Sequence, residues 1–145
     1  MKELLNKKIT KVEIGGYETG YSVDDKNKEN VLLVFTTDTG EKIIYEAYGD
    51  CCSESWFSHI SGIGNLINGT VINITEREER PPTKIEEAEG EYEELEIYGY
   101  VLDTDKFGSC YIEFRNDSNG YYGGSCDLRT ALLEKAFLEE VKDDF

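Results

Sequence analysis

Two stretches place apolar residues at every second position, a pattern that buries one face only as β-strand. In residues 95–101, Leu95, Ile97, Gly99 and Val101 point one way while Glu94, Glu96, Tyr98 and Tyr100 point the other, and residues 110–114 alternate likewise. Residues 103–108 begin like a calcium loop, but Phe107 stands where a third oxygen ligand belongs, so they read as a hairpin turn. Residues 116–120 read as the next hairpin loop. A register centred on Ser118 then sets Phe114 opposite Tyr122, Ile112 opposite Gly124 and Cys110 opposite Cys126. Gly123 and Gly124 leave that last strand open to close approach by another backbone, a side chain or a ligand.

The first half adds strands. Residues 8–14 read as the first of them. Residues 31–35, apolar on both faces, read as a central strand that Asp38-Thr39-Gly40 turns into residues 43–48, and residues 70–76 form a further strand. Trp56, Ile60, Ile63 and Ile67 recur at helical spacing after Ser53, a favoured N-cap, so a short helix is predicted there, interrupted at Gly62 and Gly64. Leu133, Phe137 and Val141, spaced by four and flanked by Leu132, Ala136 and Leu138, predict a C-terminal amphipathic helix. The 145 residues contain no linker long enough to separate two cores. The expected fold is one α+β domain over residues 1–145, with a single antiparallel-rich sheet of about six to seven strands, one short helix after the Cys-Cys corner and the C-terminal amphipathic helix.

Charge narrows the partners. The formal net charge is -16, and residues 76–96 hold ten glutamates against Arg77, Arg80 and Lys84. Such a surface repels phosphates and forgoes counterion release, which argues against direct binding to nucleic acid or to an anionic membrane. A protein with a basic surface is the favoured partner, and a homodimer is a further candidate. The first residues lack the apolar core of a signal peptide and no window reaches the length of a membrane span, so the expected location is the cytoplasm. Thiols stay reduced there, and Cys51, Cys52, Cys110 and Cys126 read as free.

The segment Gly49-Asp50-Cys51-Cys52-Ser53-Glu54-Ser55-Trp56-Phe57 puts two adjacent thiols, a helix cap and the only tryptophan at one junction. Cys52 would gain acidity from a following helix, but Asp50 and Glu54 oppose a thiolate, and His59, the only imidazole, would lie roughly 9 Å further along the helix axis. Adjacent Cys51 and Cys52 lack the gap that lets two thiolates meet one zinc, so no metal is expected. No glycine-rich phosphate loop occurs, and no cofactor is expected. Carboxylates two apart on a strand, roughly 6.6 Å, match the order of spacing of phosphates along a DNA strand; Glu91 with Glu93, and Glu94 with Glu96, have that spacing.

Residues 48–57 and Phe114-Arg115-Asn116-Asp117-Ser118-Asn119-Gly120-Tyr121-Tyr122-Gly123-Gly124 together resemble an uncharacterised domain family of small proteins from bacteria and their phages. That family carries a Gly-Asp-Cys-Cys-Ser-x-Ser-Trp motif and a later Asn-Gly-Tyr-Tyr-Gly-Gly hairpin, and the resemblance spans residues 31–128. It transfers no catalytic residue and implies a host-takeover or counter-defence role in the cytoplasm of a bacterial host cell. The leading expectation is a non-catalytic acidic binding protein that inhibits or sequesters a host protein through Glu91, Glu93, Glu94 and Glu96. An alternative is a small-molecule binder, such as a sponge for a nucleotide signal, with a pocket formed by Cys51, Cys52, Ser53, Trp56, Arg115, Tyr121 and Tyr122. A thiol enzyme using Cys52 is the third reading.

Overall fold

A computed structural model describes residues 1–17, 29–49, 53–89, 94–118, 124–131 and 135–145. Along them run β1 (Lys8–Tyr17), β2 (Leu32–Thr37), β3 (Lys42–Gly49), β4 (Glu54–Ser61), α1 (Ile63–Leu66), β5 (Gly69–Arg80), α2 (Lys84–Glu89), β6 (Glu94–Thr104), β7 (Ser109–Ser118), β8 (Gly124–Arg129) and β9 (Ala136–Glu140). The nine strands form one antiparallel sheet in the order β4-β7-β6-β5-β1-β2-β3-β8, with β9 beside β1. β1 joins the two halves. Along one edge it pairs with β2; along the other, Lys8 and Ile9 pair with β5, and residues 13–17 pair with β9.

Both halves face a common core. Val12, Phe35, Tyr45, Phe57, Leu102 and Ile112 are all buried in it. Each such side chain stabilises the fold by about 1.5–3 kcal/mol through burial alone. Phe114 packs among three other rings, with centroids 5.0 Å from Tyr98, 6.1 Å from Tyr100 and 6.4 Å from Phe57. β4, at one end of the strand order, comes back to the start of β2, where the Phe57 N–H donates to the Asn30 carbonyl at 2.7 Å.

The expected α+β architecture is overturned: the described residues are mostly sheet, strand β4 and the single turn α1 stand where the short helix was predicted, and strand β9 stands where the C-terminal amphipathic helix was predicted. Residues 54–61 are strand β4, and a bulge between Phe57 and His59 explains why they look helical. An extra residue in the strand shifts its parity, so Phe57 and Ile60, three apart, both point into the core. The C-terminal segment is strand β9 because β1 runs on beyond its pairing with β5 and leaves backbone groups to be satisfied. Gly15 makes this pairing fit, since a Cβ there would lie 1.9 Å from the Phe137 carbonyl oxygen. The proposed β7–β8 hairpin is also corrected. Phe114 pairs with Tyr98 and Phe57, Cys110 with Leu102, and Cys126 with Ala47. Tyr122, its expected cross-strand neighbour, lies outside the described residues.

The C-terminal tail is sewn to β4 and α1. Ile60 and Phe145 exchange N–H···O bonds of 3.1 and 3.0 Å, and the Asp144 carboxylate accepts the N–H groups of Gly62 and Ile63, each at 2.9 Å. Those two bonds hold the Asp144 carboxyl below the usual carboxylate range. A depressed folded-state value stabilises above the unfolded-state value, near pH 4, and this contribution fades as pH falls through the folded-state one. Asp144→Asn should therefore lower Tm at pH 7, and the two proteins should converge as pH falls below the folded-state value in calorimetry across pH.

Candidate functional site

Antiparallel pairing decides which loops share an end of the molecule. Within one half β1 and β3 run against β2 and β8, within the other β5 and β7 run against β6 and β4, and β1 and β5 meet antiparallel at their starts. The register brings the flanks of the connections 50–53, 81–93 and 119–123 together, with Val31 of the connection 18–31 beside them, at what is hereafter the loop end. Gly49 pairs with Gly124, Glu54 with Asp117, and Ser118 with Glu94. A continuous row Glu96–Asn116–Ser55 crosses three strands, and Leu95–Asp117–Glu54 forms the next. The described flanks of both sequence motifs and the described acidic residues of β6 thus meet at one end.

Beneath the loop end the interior is polar. Ser55, Asn116, Asp117 and Ser118 are buried, and the Ser55 hydroxyl donates to Asn116 Oδ1 at 2.8 Å. A Cβ on Gly124 would lie 2.2 Å from Ser55 Oγ and 2.8 Å from Asn116 Oδ1, so only glycine lets β8 close against this pair. A cleft of about 240 Å³ opens between the end of β3 (Glu46, Ala47, Tyr48, Gly49) and the start of β4 (Ser53, Glu54, Ser55), with Val31 at its side. Tyr48 is half exposed there. Glu46 accepts Arg129 Nε at 2.8 Å and the Tyr17 hydroxyl at 3.4 Å.

The sequence-predicted residues fall in different places. Ser53 lines the cleft. Trp56 and Arg115 are register partners on the other face of the sheet, so they do not share the cleft with Ser53. Trp56 is buried with Leu95 and Ile97. Arg115 Nη2 meets Glu86 Oε2 at 2.8 Å and its Nε meets Glu113 Oε1 at 3.3 Å. Glu113 also accepts the hydroxyls of Ser58 at 3.1 Å and Tyr111 at 3.0 Å. Through Glu86, whose side chain and Thr83 cap each other's N–H groups, Arg115 ties α2 to β7. Glu94 is exposed, whereas Glu96 is half-buried and accepts the Tyr98 hydroxyl. Cys51, Cys52, Glu91, Glu93, Tyr121 and Tyr122 lie outside the described residues. Glu46, Tyr48, Ser55, Asn116 and Gly124 belong to this end without having been singled out as site residues. The signal for Ser55 and Asn116 was a motif position in each case, but their pairing spans 61 residues of sequence.

Neither described thiol is nucleophilic at neutral pH. Burial pushes both Cys110 and Cys126 up to about 12, and the nearby Asp144 adds to the shift of Cys110 while Asp127 adds to that of Cys126. His59 is exposed on β4, past the bulge, rather than on a helix. Among the described residues no cluster of three or more His, Cys, Asp or Glu could hold a metal ion, and no helix is long and apolar enough to cross a membrane.

A family described as a domain of unknown function, DUF7448, matches residues 2–128. The chain belongs to the DUF7448 family. The matched region contains all four loops of the loop end and stops before β9. An uncharacterised protein, L278, of Acanthamoeba polyphaga mimivirus is 31% identical over 103 residues, covering 67% of this chain and 75% of the relative. No solved structure matches.

Proposed function

We propose that this DUF7448 protein acts by recognition, as a non-catalytic binding protein whose acidic loop end engages a basic surface of a host protein and inhibits or sequesters it. The observation that carries this reading is the gathering of the Gly49–Ser53 junction, the Glu94 strand start and the Ser118–Gly124 junction at one end of a rigid sheet. Loops held by such a scaffold are where proteins place binding residues. Glu54 and Glu94 add negative charge at that end, and the net charge of -16 steers a basic partner toward it. The viral relative supports a role in a virus or mobile element acting on its host.

The cleft size favours a protein partner over a nucleotide signal. At about 240 Å³ it falls below the roughly 300–1,000 Å³ of pockets that enclose drug-sized ligands. A single lysine or arginine side chain fits its dimensions better, its stem against Val31 and Ala47.

Affinity capture from host lysate tests the reading. Reversing charge at Glu91, Glu93, Glu94 and Glu96 should abolish capture, whereas reversing Glu41 and Asp38 at the opposite end should leave it intact. Wild-type capture should also weaken as salt rises, since screening shortens the reach of the acidic field. Equal capture by both variants, or indifference to salt, would refute it.

A further inference from the structure

The end of the molecule opposite the loop end carries a feature the fold does not require. Phe107, in the β6–β7 turn, is fully exposed at 103% and has a φ of 59°. A bulky residue in the left-handed region is an outlier, because its Cβ crowds the backbone, and hairpin turns put glycine or asparagine there instead. Exposing the ring adds a second cost.

The turn is held so that the ring is presented rather than mobile. The Thr104 N–H donates to the Gly108 carbonyl at 3.0 Å, and Asp105 accepts the Thr70 N–H at 2.9 Å. Lys106 Nζ reaches back to the carbonyls of Gly64 at 2.9 Å and Ile67 at 3.0 Å, which ties the turn to the end of α1. A pre-ordered aromatic at a rigid tip loses little entropy on binding. Two more exposed apolar side chains lie on neighbouring elements at this end. Ile72 (56%) sits at the bulge between Val71 and Asn73, and Leu5 (42%) lies beside Asn6, whose N–H donates to the Val71 carbonyl.

Charge selects the occupant. In a chain of net -16, two copies can approach only where the local charge is low. Here Lys7, Lys8, Lys42 and Lys106 stand against Asp38, Glu41 and Asp105, and the end is close to neutral. We propose that the Phe107 tip, with Ile72 and Leu5, is a self-association surface on which a second copy of this chain docks, leaving both acidic loop ends pointing outward. The contact is symmetric, the same patch meeting itself. Its small apolar area makes the dimer weak and dependent on concentration.

Sedimentation velocity of the full chain from micromolar to sub-millimolar concentration tests this, with wild type beside Phe107→Asn. The wild type should dimerise as concentration rises, and more so in added salt, because screening relieves repulsion between two acidic bodies. Phe107→Asn should stay monomeric while its Tm rises by roughly 2–4 °C, since asparagine tolerates the left-handed backbone. A wild type that remains monomeric throughout, with a different protein then the remaining occupant of the tip, or a variant that dimerises equally well, would overturn the proposal.

Discussion

Phe114→Ala should destabilise the protein by about 3–5 kcal/mol, through lost burial and the cavity left behind. Its ring is the hub of the aromatic cluster, in contact with Tyr98, Tyr100 and Phe57 on strands to either side. Those neighbours are anchored on two strands, β6 and β4, and cannot collapse into the gap without bending the sheet, so little of the loss is recovered by relaxation. Tyr100 is further constrained, because burial pushes its hydroxyl above the usual tyrosine range and that hydroxyl bonds to Cys126 on β8. Urea denaturation followed by Trp56 fluorescence measures the change. Trp56 lies on the opposite face of β4, packed with Leu95 and Ile97, and so reports on the sheet without touching the mutated site. A loss below about 1 kcal/mol would mean that the cluster is packed loosely.

Gly15→Ala should cost about 2–4 kcal/mol, a large effect for one methyl group. The added carbon would lie 1.9 Å from the Phe137 carbonyl oxygen and 2.9 Å from its carbonyl carbon. Both are backbone atoms, so no side chain can rotate away, and β9 must withdraw from β1. Five register pairs are at stake, from Glu13 with Glu140 to Tyr17 with Ala136. Hydrogen exchange should show protection lost across residues 136–140 while the β6–β7 amides stay protected. Gly64→Ala is the matched control. Its Cβ would meet nothing within 4 Å, and alanine in helix α1 should be neutral or mildly stabilising.

Strands that pair without a bulge between them were legible in the sequence. Residues 95–101 and 110–114 carry a period of two, and both lie in strands with that parity in the structure. Tyr98 and Tyr100 turned out to join the main core, while Leu95 and Ile97 cover the other face with Trp56. β4 and β9 were misread for two different physical reasons. In β4 the bulge at residues 57–59 converts a period of two into a spacing of three, which mimics one turn of helix. In β9 the apolar spacing of four is real, but Gly15 and the open edge of β1, more than 120 residues away, decide the outcome. Tertiary pairing overrides local periodicity there.

The candidate site was legible residue by residue and not as an arrangement. The Gly49 and Gly124 junctions could each be seen as places where a strand ends, yet nothing local states that they face one another. Their meeting follows from the direction of each strand and from a register spanning some 75 residues. Arg115 shows the converse. Sequence placed it with the Cys-Cys corner, but the strand's parity turns it to the other face, where Glu86 and Glu113 take its guanidinium.

A photo-crosslinking amino acid placed at Tyr48, on the rim of the cleft, tests the central claim most directly, with the same probe at Lys42 at the opposite end of the same strand as reference. Recognition at the loop end requires that, in host lysate, position 48 links covalently to a basic protein, that added salt suppresses the link, and that position 42 does not link to that protein. A basic host protein captured from position 42 and not from position 48 would contradict it.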